Sequence, residues 1–584
     1  MSARAQWKGT KSPGLTSLNE LLAWTREAGE TPRLGSKRAG VWTTQTARGM
    51  YEQVRAVALG LDAAPGDRVA ILAESAPEWV VADFACLAAG VIDVPIYPTL
   101  TAGQAAYILA DSEAVGVFVA GAEQAAKVAS VRAQLPRLRW IRTWETLEPA
   151  GHLSAAEAER FHQRLLATPA DRAATLLYTS GTTGTPKGLL LTHAHLCANL
   201  NVSTQDFVFG TGERRLSILP LSHITERHIA YVDMLYDATT YFAESLDKVV
   251  ENLAEVRPTV LVSVPRLFEK VAAGVREQAA KKSALERRIF DWAVRVGHQA
   301  GPYRLAGAPL PAGLRLRAAL ADRLVGSKLR AKLGGALEKV ISGGAPLGKD
   351  LGEFLLALGL IVDEGYGLSE TSPVVALNRP GGRRLGSVGR PLPSVEVRFA
   401  EDGELLVRGP SVFAGYYRRP EETAQALQDG WFHTGDIGRQ DADGFLYITD
   451  RKKDLIKTSG GKFIAPQPIE AQLKSSALIA EAVVVGDGKN FAAALLVPNW
   501  PLLAQRGFAC ADRAAACDDA AIRALFQTEV DRVNAGLARF ETLKRFALLA
   551  SEFTVTSGEL TPTIKVRRRA VEQNHRATIE RLYL

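Results

Sequence analysis

The chain has 584 residues, of which 47% are hydrophobic and 23% charged, a composition typical of a folded protein with more than one domain. Its four cysteines form neither a CxxC pair nor a zinc-like spacing with histidine, and no apolar run approaches the roughly 18 residues of a membrane span. The net charge is a modest +7, and the N-terminus has no apolar signal segment. These features argue against secreted, transmembrane, disordered and zinc-dependent proteins, and we expect a cytoplasmic one.

Strands and helices are predicted to alternate through the first 260 residues. Apolar runs of strand length stand at 68–72, 94–97, 115–119 and 260–264, and helical patterns stand at 79–89 and 102–110. Such alternation indicates an α/β fold with largely parallel sheets.

The pattern changes twice after residue 265. Long amphipathic helices are predicted from 265 to about 333, where Leu267, Val271 and Val275 keep a helical spacing. Shorter runs of strand type follow at 404–408, 445–449 and 482–485. We therefore predict a large N-terminal domain of layered sheets and helices (1–449), a charged hinge (450–453) and a small α+β C-terminal domain (454–584).

The basic excess is confined to one segment. Residues 266–339 contain 16 Lys or Arg against 6 Asp or Glu, and the rest of the chain is slightly acidic. Basic clusters at 281–282, 287–288 and 328–332 alternate with apolar helix faces, so we predict peripheral contact with an anionic membrane surface. A solvated helical face is the alternative, and nucleic acid binding is not expected because no reading module accompanies the charge.

The strongest motif is YTSGTTGTPKG at 178–188. An apolar strand leads into a loop of glycines and hydroxyl residues that ends in Lys187, and such a loop can surround a phosphate with backbone N–H groups, hydroxyls and a mobile cation. It is not a Walker loop, because Pro186 precedes the lysine and Gly188 stands where Ser or Thr is required. A bland Gly/Ser/Thr turn would not need the Pro-Lys-Gly ending.

Four further stretches are weak indications when each is taken alone. YGLSET (366–371) places a carboxylate suited to Mg²⁺ at a strand-to-loop junction, and HTGD (433–436) offers a short acid that could accept from ribose hydroxyls. DRKKDLIKTSGG (450–461) and LTPTIKVRRR (560–569) are lysine-bearing turns. A structural role is the alternative for three of them: a capping turn at 366–371, a solvated charged turn at 450–461 and a basic tail at 560–569.

Together, and in this order, the five stretches resemble the AMP-forming adenylate ligase superfamily of acyl-CoA synthetases, luciferases and peptide-synthetase adenylation domains. GDRVAILAESAPEW (66–79) and VPIYPT (94–99) are similar to its opening segments. Four other motifs are most similar to bacterial long-chain fatty acid–CoA ligases: PLSHITER (220–227), RPTVLVSVPRLFEK (257–270), ISGGAPL (341–347) and GGKFIAPQPIE (460–470). The helical stretch after Pro265 resembles an insertion of that group. Ser369 replaces the Thr of many members and Ala238 a usual glycine, and neither change removes a catalytic group.

The resemblance implies the adenylate-forming ligase fold and a reaction that uses ATP, Mg²⁺ and CoA on a fatty acid. The carboxylate would take AMP from ATP, and a thiolate would then displace AMP. The implied ATP- and AMP-binding residues are Thr179, Ser180, Gly181, Thr182, Thr183, Gly184, Lys187, Gly343, Gly344, Ala345, Tyr366, Gly367, Ser369, Thr371, Asp436, Arg451 and Lys565. The resemblance further implies that Thr179 and Glu370 would ligate Mg²⁺, that Asp436 and Arg451 would hold the ribose, and that Lys565 would bridge the carboxylate and the α-phosphate.

The resemblance also implies that the small domain rotates between the two half-reactions. Lys453 matches the hinge, and rotation would bring Lys457 and the CoA-binding residues Ser459, Gly460 and Gly461 to the site. His223 matches a position beside the acyl carboxylate or the pantetheine tunnel, and a core histidine is its bland interpretation.

Three alternatives to a long-chain fatty acid–CoA ligase stay open. The adenylate could be delivered to a separate carrier protein, since no fused GGxS attachment site is present, or the substrate could be another carboxylic acid. The third alternative is a non-catalytic protein that binds lipid or nucleotide. Five charged residues of the motifs argue against it: Lys187, Glu370, Asp436, Arg451 and Lys565. Chain-length preference and oligomeric state do not follow from the sequence.

Overall fold

Alternating strands and helices build the larger part of the computed structural model, which describes residues 14–144, 154–179, 186–209, 212–561 and 565–584. Its strands are β1 Pro32–Arg38, β2 Val41–Thr46, β3 Arg68–Leu72, β4 Ile92–Ile96, β5 Gly116–Val119, β6 Trp140–Thr143, β7 Ala173–Thr179, β8 Lys187–Thr192, β9 Arg214–Ser217, β10 Thr239–Phe242, β11 Val260–Ser263, β12 Lys339–Gly343, β13 Asp363–Gly367, β14 Val374–Leu377, β15 Arg390–Pro391, β16 Glu396–Phe399, β17 Glu404–Arg408, β18 Leu427–Gln428, β19 Trp431–Gln440 and β20 Leu446–Arg451. Its α-helices are α1 Asn19–Glu27, α2 Ala47–Leu59, α3 Pro77–Ala89, α4 Ala102–Asp111, α5 Gly121–Ala129, α6 Ala155–Leu166, α7 His193–Ser203, α8 Ile224–Leu235, α9 Val249–Val256, α10 Pro265–Ala280, α11 Ala284–Ala306, α12 Ala312–Ala321, α13 Ser327–Lys332, α14 Lys349–Ala357 and α15 Pro420–Ala426.

Two mostly parallel sheets and one antiparallel sheet form the layers of this part. The nine-stranded sheet has the order β15-β14-β13-β12-β11-β9-β10-β1-β2, and the six-stranded sheet has the order β6-β5-β3-β4-β7-β8. Antiparallel pairs stand only at their margins, among the described residues, at β1·β2, β13·β14, β14·β15 and β7·β8. β16 to β20 form the antiparallel sheet. The predicted α/β architecture is confirmed.

The helix α3 illustrates why the core lies between the sheets. It begins at Pro77, which suits the first helical turn, and ends at Gly90, whose φ of 73° favours glycine. Every residue from Trp79 to Ala88 is buried, so the helix is covered on all sides. Its side chains join the largest apolar cluster of the protein together with those of β3, α8 and β17.

A smaller α+β part follows, as predicted. Its strands are β21 Ile456–Lys457, β22 Phe463–Ile464, β23 Ile479–Val485, β24 Ala492–Pro498 and β25 Leu543–Leu548, and its helices are α16 Pro466–Lys474, α17 Trp500–Gln505, α18 Arg513–Asp518, α19 Ala520–Asn534, α20 Arg568–Asn574 and α21 Arg576–Arg581. Its main apolar cluster contains only residues from Ile456 onward among those described. The strand β20 continues through Arg451, so half of the predicted hinge 450–453 is paired with β19. The domain boundaries stay predictions.

The predicted helical region after residue 265 is confirmed as α10 to α13. The first of these helices, α10, packs against the C-terminal part, where Arg276 Nη1 donates to the Ser475 carbonyl at 3.0 Å. In α11 and α12 one face packs inward around Val296 and Ala318, and the other face is exposed.

Candidate active site

The phosphate-loop motif lies between two paired strands. β7 ends at Thr179 and β8 begins at Lys187, and these two residues are register partners. The predicted loop residues Ser180, Gly181, Thr182, Thr183 and Gly184 lie outside the described residues, and their roles stay predictions. The pairing brings Thr179 and Lys187 to one edge of the six-stranded sheet, as the motif requires.

A tight turn after β13 holds Glu370. Gly367 has to be glycine there, because a Cβ at this position would lie 1.9 Å from the Pro373 carbonyl oxygen. The buried Thr371 hydroxyl donates to the same carbonyl at 2.6 Å and accepts from the Leu368 N–H at 3.0 Å. The hydroxyl of Thr371 therefore shapes the turn, and the neighbouring Ser369 stays half-buried.

The Glu370 carboxylate has one neutral side-chain partner. Tyr416 donates its hydroxyl proton to Glu370 Oε1 at 3.0 Å. Burial raises the pKa of Glu370, and the Tyr416 hydrogen bond opposes that rise. No ion pair forms at this carboxylate in the described part of the chain. A partly desolvated carboxylate without a cationic partner suits a Mg²⁺ ion, which needs one or two carboxylates beside substrate phosphates and water.

Asp436 and Arg451 are brought together by the β19–β20 register, as the predicted ribose site requires. Arg451 Nε lies 3.2 Å from Asp436 Oδ1, and the Tyr366 hydroxyl donates to Asp436 Oδ2 at 2.6 Å. Burial raises the pKa of Asp436, and Arg451 opposes this shift more strongly than Tyr366 does. The carboxylate is buried while the guanidinium is half-exposed, so the pair is oriented but open to a ligand.

Lys565 reaches this site from the C-terminal part. Its Cε and Nζ lie 3.5 Å from the position that a Cβ on Gly344 would occupy, and Gly344 has a φ of 81° that favours glycine. Burial, and then the charge of Arg451, lowers the pKa of Lys565 to about 8. Gly343 and Ala345 flank this contact at the end of β12. Lys565 of the 560–569 motif therefore lies beside the 341–347 motif, and the predicted roles of both stay predictions.

His223 is half-buried at the start of α8. Its Nδ1 accepts from the Thr225 N–H at 3.2 Å, so the imidazole caps this helix. Burial, followed by the charge of Lys565, lowers the pKa of His223 to about 3, and the ring is neutral near pH 7. The histidine therefore combines a structural role with a position within electrostatic reach of Lys565.

The residues predicted for thioester formation are not at the site in this arrangement. Lys457 and Ser459 to Gly461 lie exposed around the β21–β22 hairpin, and Lys453 is exposed before it. Ser459 donates to Asn490 Oδ1 at 2.7 Å, and the Lys457 carbonyl accepts from the Gly488 N–H at 2.9 Å. These contacts stay within the C-terminal part, whereas Lys565 of the same part lies in the site.

Sequence reasoning missed one feature of the site and one of the buried core. The first is Tyr416, and its only indication in the sequence was the tyrosine pair 416–417 after Gly415. The other is the buried Arg227, which donates to Asp93 Oδ2 at 2.6 Å and to Thr175 Oγ1 at 2.7 Å and also pairs with Asp83. Arg227 belongs to the PLSHITER motif, but a motif does not say which distant residues its arginine contacts.

A cleft of about 1660 Å³ opens between the two parts of the chain, and Pro346 and Leu347, which follow the Gly343–Ala345 turn, line it. Its walls include Ile218, Val264 and Leu347 from the larger part and Pro468 and Trp500 from the smaller. This volume exceeds the roughly 300–1,000 Å³ of a pocket for one small ligand. The cleft is therefore larger than a site for one small ligand.

Two features are absent from the described ranges. No group of three or more His, Cys, Asp or Glu side chains stands close enough to hold a metal ion by itself. No helix is both long and apolar enough to cross a bilayer.

With this geometry established, comparison with known proteins assigns the class: the chain belongs to the AMP-binding enzyme family. The AMP-binding enzyme family matches residues 24–417, and the C-terminal domain of AMP-binding enzymes matches residues 453–584.

The chain is 41% identical over 567 residues to the long-chain-fatty-acid–CoA ligase FadD15 of Mycobacterium bovis, covering 93% of each chain. It is 32% identical to the peroxisomal long chain acyl-CoA synthetase 6 of Arabidopsis thaliana, covering 89% of this chain and 78% of that protein. Among solved structures, it is similar to the A domain of carboxylic acid reductase from Segniliparus rugosus in complex with AMP and a co-purified carboxylic acid. That match has a TM-score of 0.75 at 21% identity and covers 100% of this chain and 95% of the other. The fold is the adenylate-forming ligase fold, as predicted.

Proposed function

We propose that this protein is an ATP-dependent long-chain fatty acid–CoA ligase. The observation that carries the proposal is the meeting of Lys565, delivered by the C-terminal part, with Gly344 beside the Asp436–Arg451 pair. A protein that only bound nucleotide or lipid would not need a lysine delivered there. The relatives named long-chain-fatty-acid–CoA ligase support a fatty acid as the substrate.

In the first half-reaction a carboxylate oxygen of the fatty acid attacks the α-phosphorus of ATP. The bond from that phosphorus to the bridging oxygen breaks, pyrophosphate leaves, and a mixed acyl–AMP anhydride forms. Lys565 stabilises the negative charge that develops at the α-phosphate and holds the entering carboxylate. Asp436 and Arg451 hold the ribose, and Lys187 with the loop before it holds the β- and γ-phosphates.

Mg²⁺ fits the donor set at Glu370. The ion, when bound, neutralises phosphate charge, and Glu370 with the hydroxyl of Thr179 would hold it. The Glu370 carboxylate accepts from Tyr416 through Oε1, and Oε2 would be the oxygen that binds the ion.

In the second half-reaction the thiolate of CoA attacks the acyl carbonyl carbon, and AMP leaves as the thioester forms. We place this step in an arrangement reached by rotation of the C-terminal part about Lys453. Lys457 and the glycines 460 and 461 are exposed and free to enter the site after such a rotation. The cleft beside Gly343–Ala345 would hold the acyl chain and the pantetheine arm.

The variant Lys565→Ala tests the assignment of the first half-reaction. Removing one donor to a developing oxyanion costs about 10²–10³-fold in rate. Acyl-AMP formation should fall by that factor while ATP binding changes little, with the exposed Lys544→Ala on β25 as a matched control. Near-normal acyl-AMP formation by Lys565→Ala would refute the assignment.

Contact of the helices α11 and α12 with an anionic membrane surface is a second proposal. Leu316, Leu320 and Leu324 stand at successive turns on the outer side of this region, and Leu316 is 74% exposed. Arg315 and Arg317 are exposed beside them. An apolar strip flanked by cations matches the chemistry of an anionic bilayer, where free fatty acid also partitions.

The structure changes which residues of this region are tested first. Lys281 and Lys282, which the sequence singled out, are engaged with Glu277 at 2.6 Å and Glu286 at 3.2 Å. The double variant Leu316→Ser and Leu320→Ser should lose co-sedimentation with phosphatidylglycerol vesicles, as should charge reversal at Lys281, Lys282, Arg287 and Arg288. Val208→Ser, at another exposed apolar residue, is the control. Unchanged sedimentation of both test variants would contradict membrane contact.

A further inference from the structure

Tyr416 lies between two groups that the proposed reaction requires. Its hydroxyl donates to Glu370 Oε1 at 3.0 Å, and Lys187 Nζ stands 5.3 Å from the centroid of its ring. The second distance lies within the roughly 6 Å range of cation–π attraction. One side chain therefore contacts both the carboxylate suited to Mg²⁺ and the lysine of the phosphate loop.

The backbone around Tyr416 is fixed on both sides of the site. The Phe413 N–H donates to the Glu370 carbonyl at 2.8 Å, and the Tyr417 N–H donates to the Gly188 carbonyl at 2.7 Å. A β-bridge joins Tyr416 to Leu189 on β8. This short segment thus links the turn that carries Glu370 to the strand that begins at Lys187.

The aromatic ring is held as firmly as the backbone. It packs against Phe413 with a centroid distance of 4.9 Å and an interplanar angle of 66°, and Phe413 packs in turn on Phe432. The Tyr416 N–H also donates to Thr423 Oγ1 at 2.9 Å, which joins it to α15. A ring fixed in this way can set the orientation of a carboxylate and of an ammonium group.

We propose that Tyr416 is a positioning residue of the AMP-forming site, which holds Glu370 through its hydroxyl and Lys187 through its ring. The proposal rests on the proposed function, because it assigns Glu370 to Mg²⁺ and Lys187 to phosphate. The hydroxyl fixes one carboxylate oxygen and leaves the other directed to the metal. The ring keeps the mobile lysine beside the strand edge before ATP binds, so less side-chain freedom is lost on binding.

Two variants separate the two contacts. Tyr416→Phe removes the hydroxyl and keeps the ring, and Tyr416→Leu removes both. Tyr417→Phe is the matched control, because it removes a neighbouring hydroxyl and leaves the backbone contact with Gly188. Thermal unfolding of each variant checks that the fold is retained.

The readout is nucleotide binding by calorimetry, with Mg²⁺ present and with Mg²⁺ removed by EDTA. A hydrogen bond to a charged group corresponds to about a tenfold effect, so Tyr416→Phe should weaken Mg²⁺-ATP binding about tenfold and leave binding of metal-free ATP unchanged. Tyr416→Leu should weaken both. In a double-mutant cycle, Tyr416→Phe should add little once Glu370→Gln is present.

Binding of Mg²⁺-ATP by Tyr416→Phe at the wild-type affinity would overturn the proposal, as would an equal effect of Tyr417→Phe or full additivity with Glu370→Gln. A failure of the proposed function looks different. In that case the wild-type protein would show the Mg²⁺-dependent effects on ATP binding and form no acyl-CoA.

Discussion

A charged contact between the two parts of the chain is expected to hold the arrangement in which Lys565 reaches the site. Lys474, at the end of α16, lies 3.2 Å from Glu481 and 3.7 Å from Glu269 of α10. Arg266, at the start of α10, donates to the Ala480 carbonyl at 2.6 Å and lies 3.4 Å from Glu481. Replacing Lys474 by Met keeps the side-chain length and removes the charge.

The magnitude follows from the burial of this contact. Glu481 belongs to the C-terminal part, so of the two Lys474 pairs only the one with Glu269 joins the two parts. The Lys474 and Glu269 side chains are 24% and 21% exposed, between the surface pairs worth about 0–1 kcal/mol and the buried pairs whose disruption costs about 3–5 kcal/mol. We take about 1.4 kcal/mol, which corresponds to about a tenfold shift away from the docked arrangement. The formation of acyl-AMP should fall by about tenfold, because only the docked arrangement delivers Lys565.

The assay separates the two half-reactions. Acyl-AMP formation is measured in a single turnover without CoA, and thioester formation is measured from supplied acyl-AMP and CoA. Lys474→Met should slow the first reaction and leave the second within about threefold of wild type. Lys282→Met is the control, since Lys282 pairs with Glu286 at the same 3.2 Å but is 60% exposed. Equal losses in both half-reactions, or no loss in either, would refute the reasoning.

Three further changes have calculable outcomes. The pKa of Lys565 is about 8 and the reaction requires its charged form, so kcat/KM for acyl-AMP formation should fall about tenfold per pH unit above pH 8. Lys565→Arg should remove this decrease, and a decrease that persists in the variant would contradict the role of Lys565. Gly367→Ala should lower the rate of acyl-AMP formation about 100-fold, because the added Cβ would displace the turn that carries Glu370. Gly103→Ala, where the added Cβ meets open space, should leave the rate unchanged, and equal activity of the two variants would contradict this reasoning. Arg227→Met should lower the free energy of unfolding by about 3–5 kcal/mol in urea at pH 8, because it leaves buried carboxylates unpaired. The loss should be smaller at pH 5, since burial raises the pKa of Asp93 to about 7 and this carboxyl is then protonated; a loss independent of pH would argue against an unpaired carboxylate as its cause.

The sequence predicted local structure well where period and composition are decisive. The strands at 68–72 and 404–408 have the predicted bounds, because each is a short apolar run that stands between breaks in the pattern. The amphipathic helices after residue 265 follow from a sustained helical spacing. At 450–453 the charges suggested a hinge, yet β20 extends through Arg451, because its pairing with Asp436 on β19 continues the ladder.

The candidate site was predicted from five motifs, and what the motifs could not supply is which residues meet. Asp436 and Arg451 are adjacent because two strands are in register, and the contact between Lys565 and Gly344 depends on how the two parts of the chain dock. Tyr416 was missed because its partner stands 46 residues away. The hydrophobic period of a segment indicates which face of a helix or strand is buried, but it does not indicate which residues pack on that face.

The most direct test of the account is a measurement of the thioester product. The protein is incubated with ATP, Mg²⁺, CoA and a series of straight-chain and aromatic carboxylic acids, and AMP and acyl-CoA are quantified. We predict AMP and acyl-CoA in equal amounts, with the highest rate for long-chain fatty acids. Acyl-AMP without thioester would point to a carrier protein as the acceptor, and activation of no acid at all would contradict the assignment as an acid–CoA ligase.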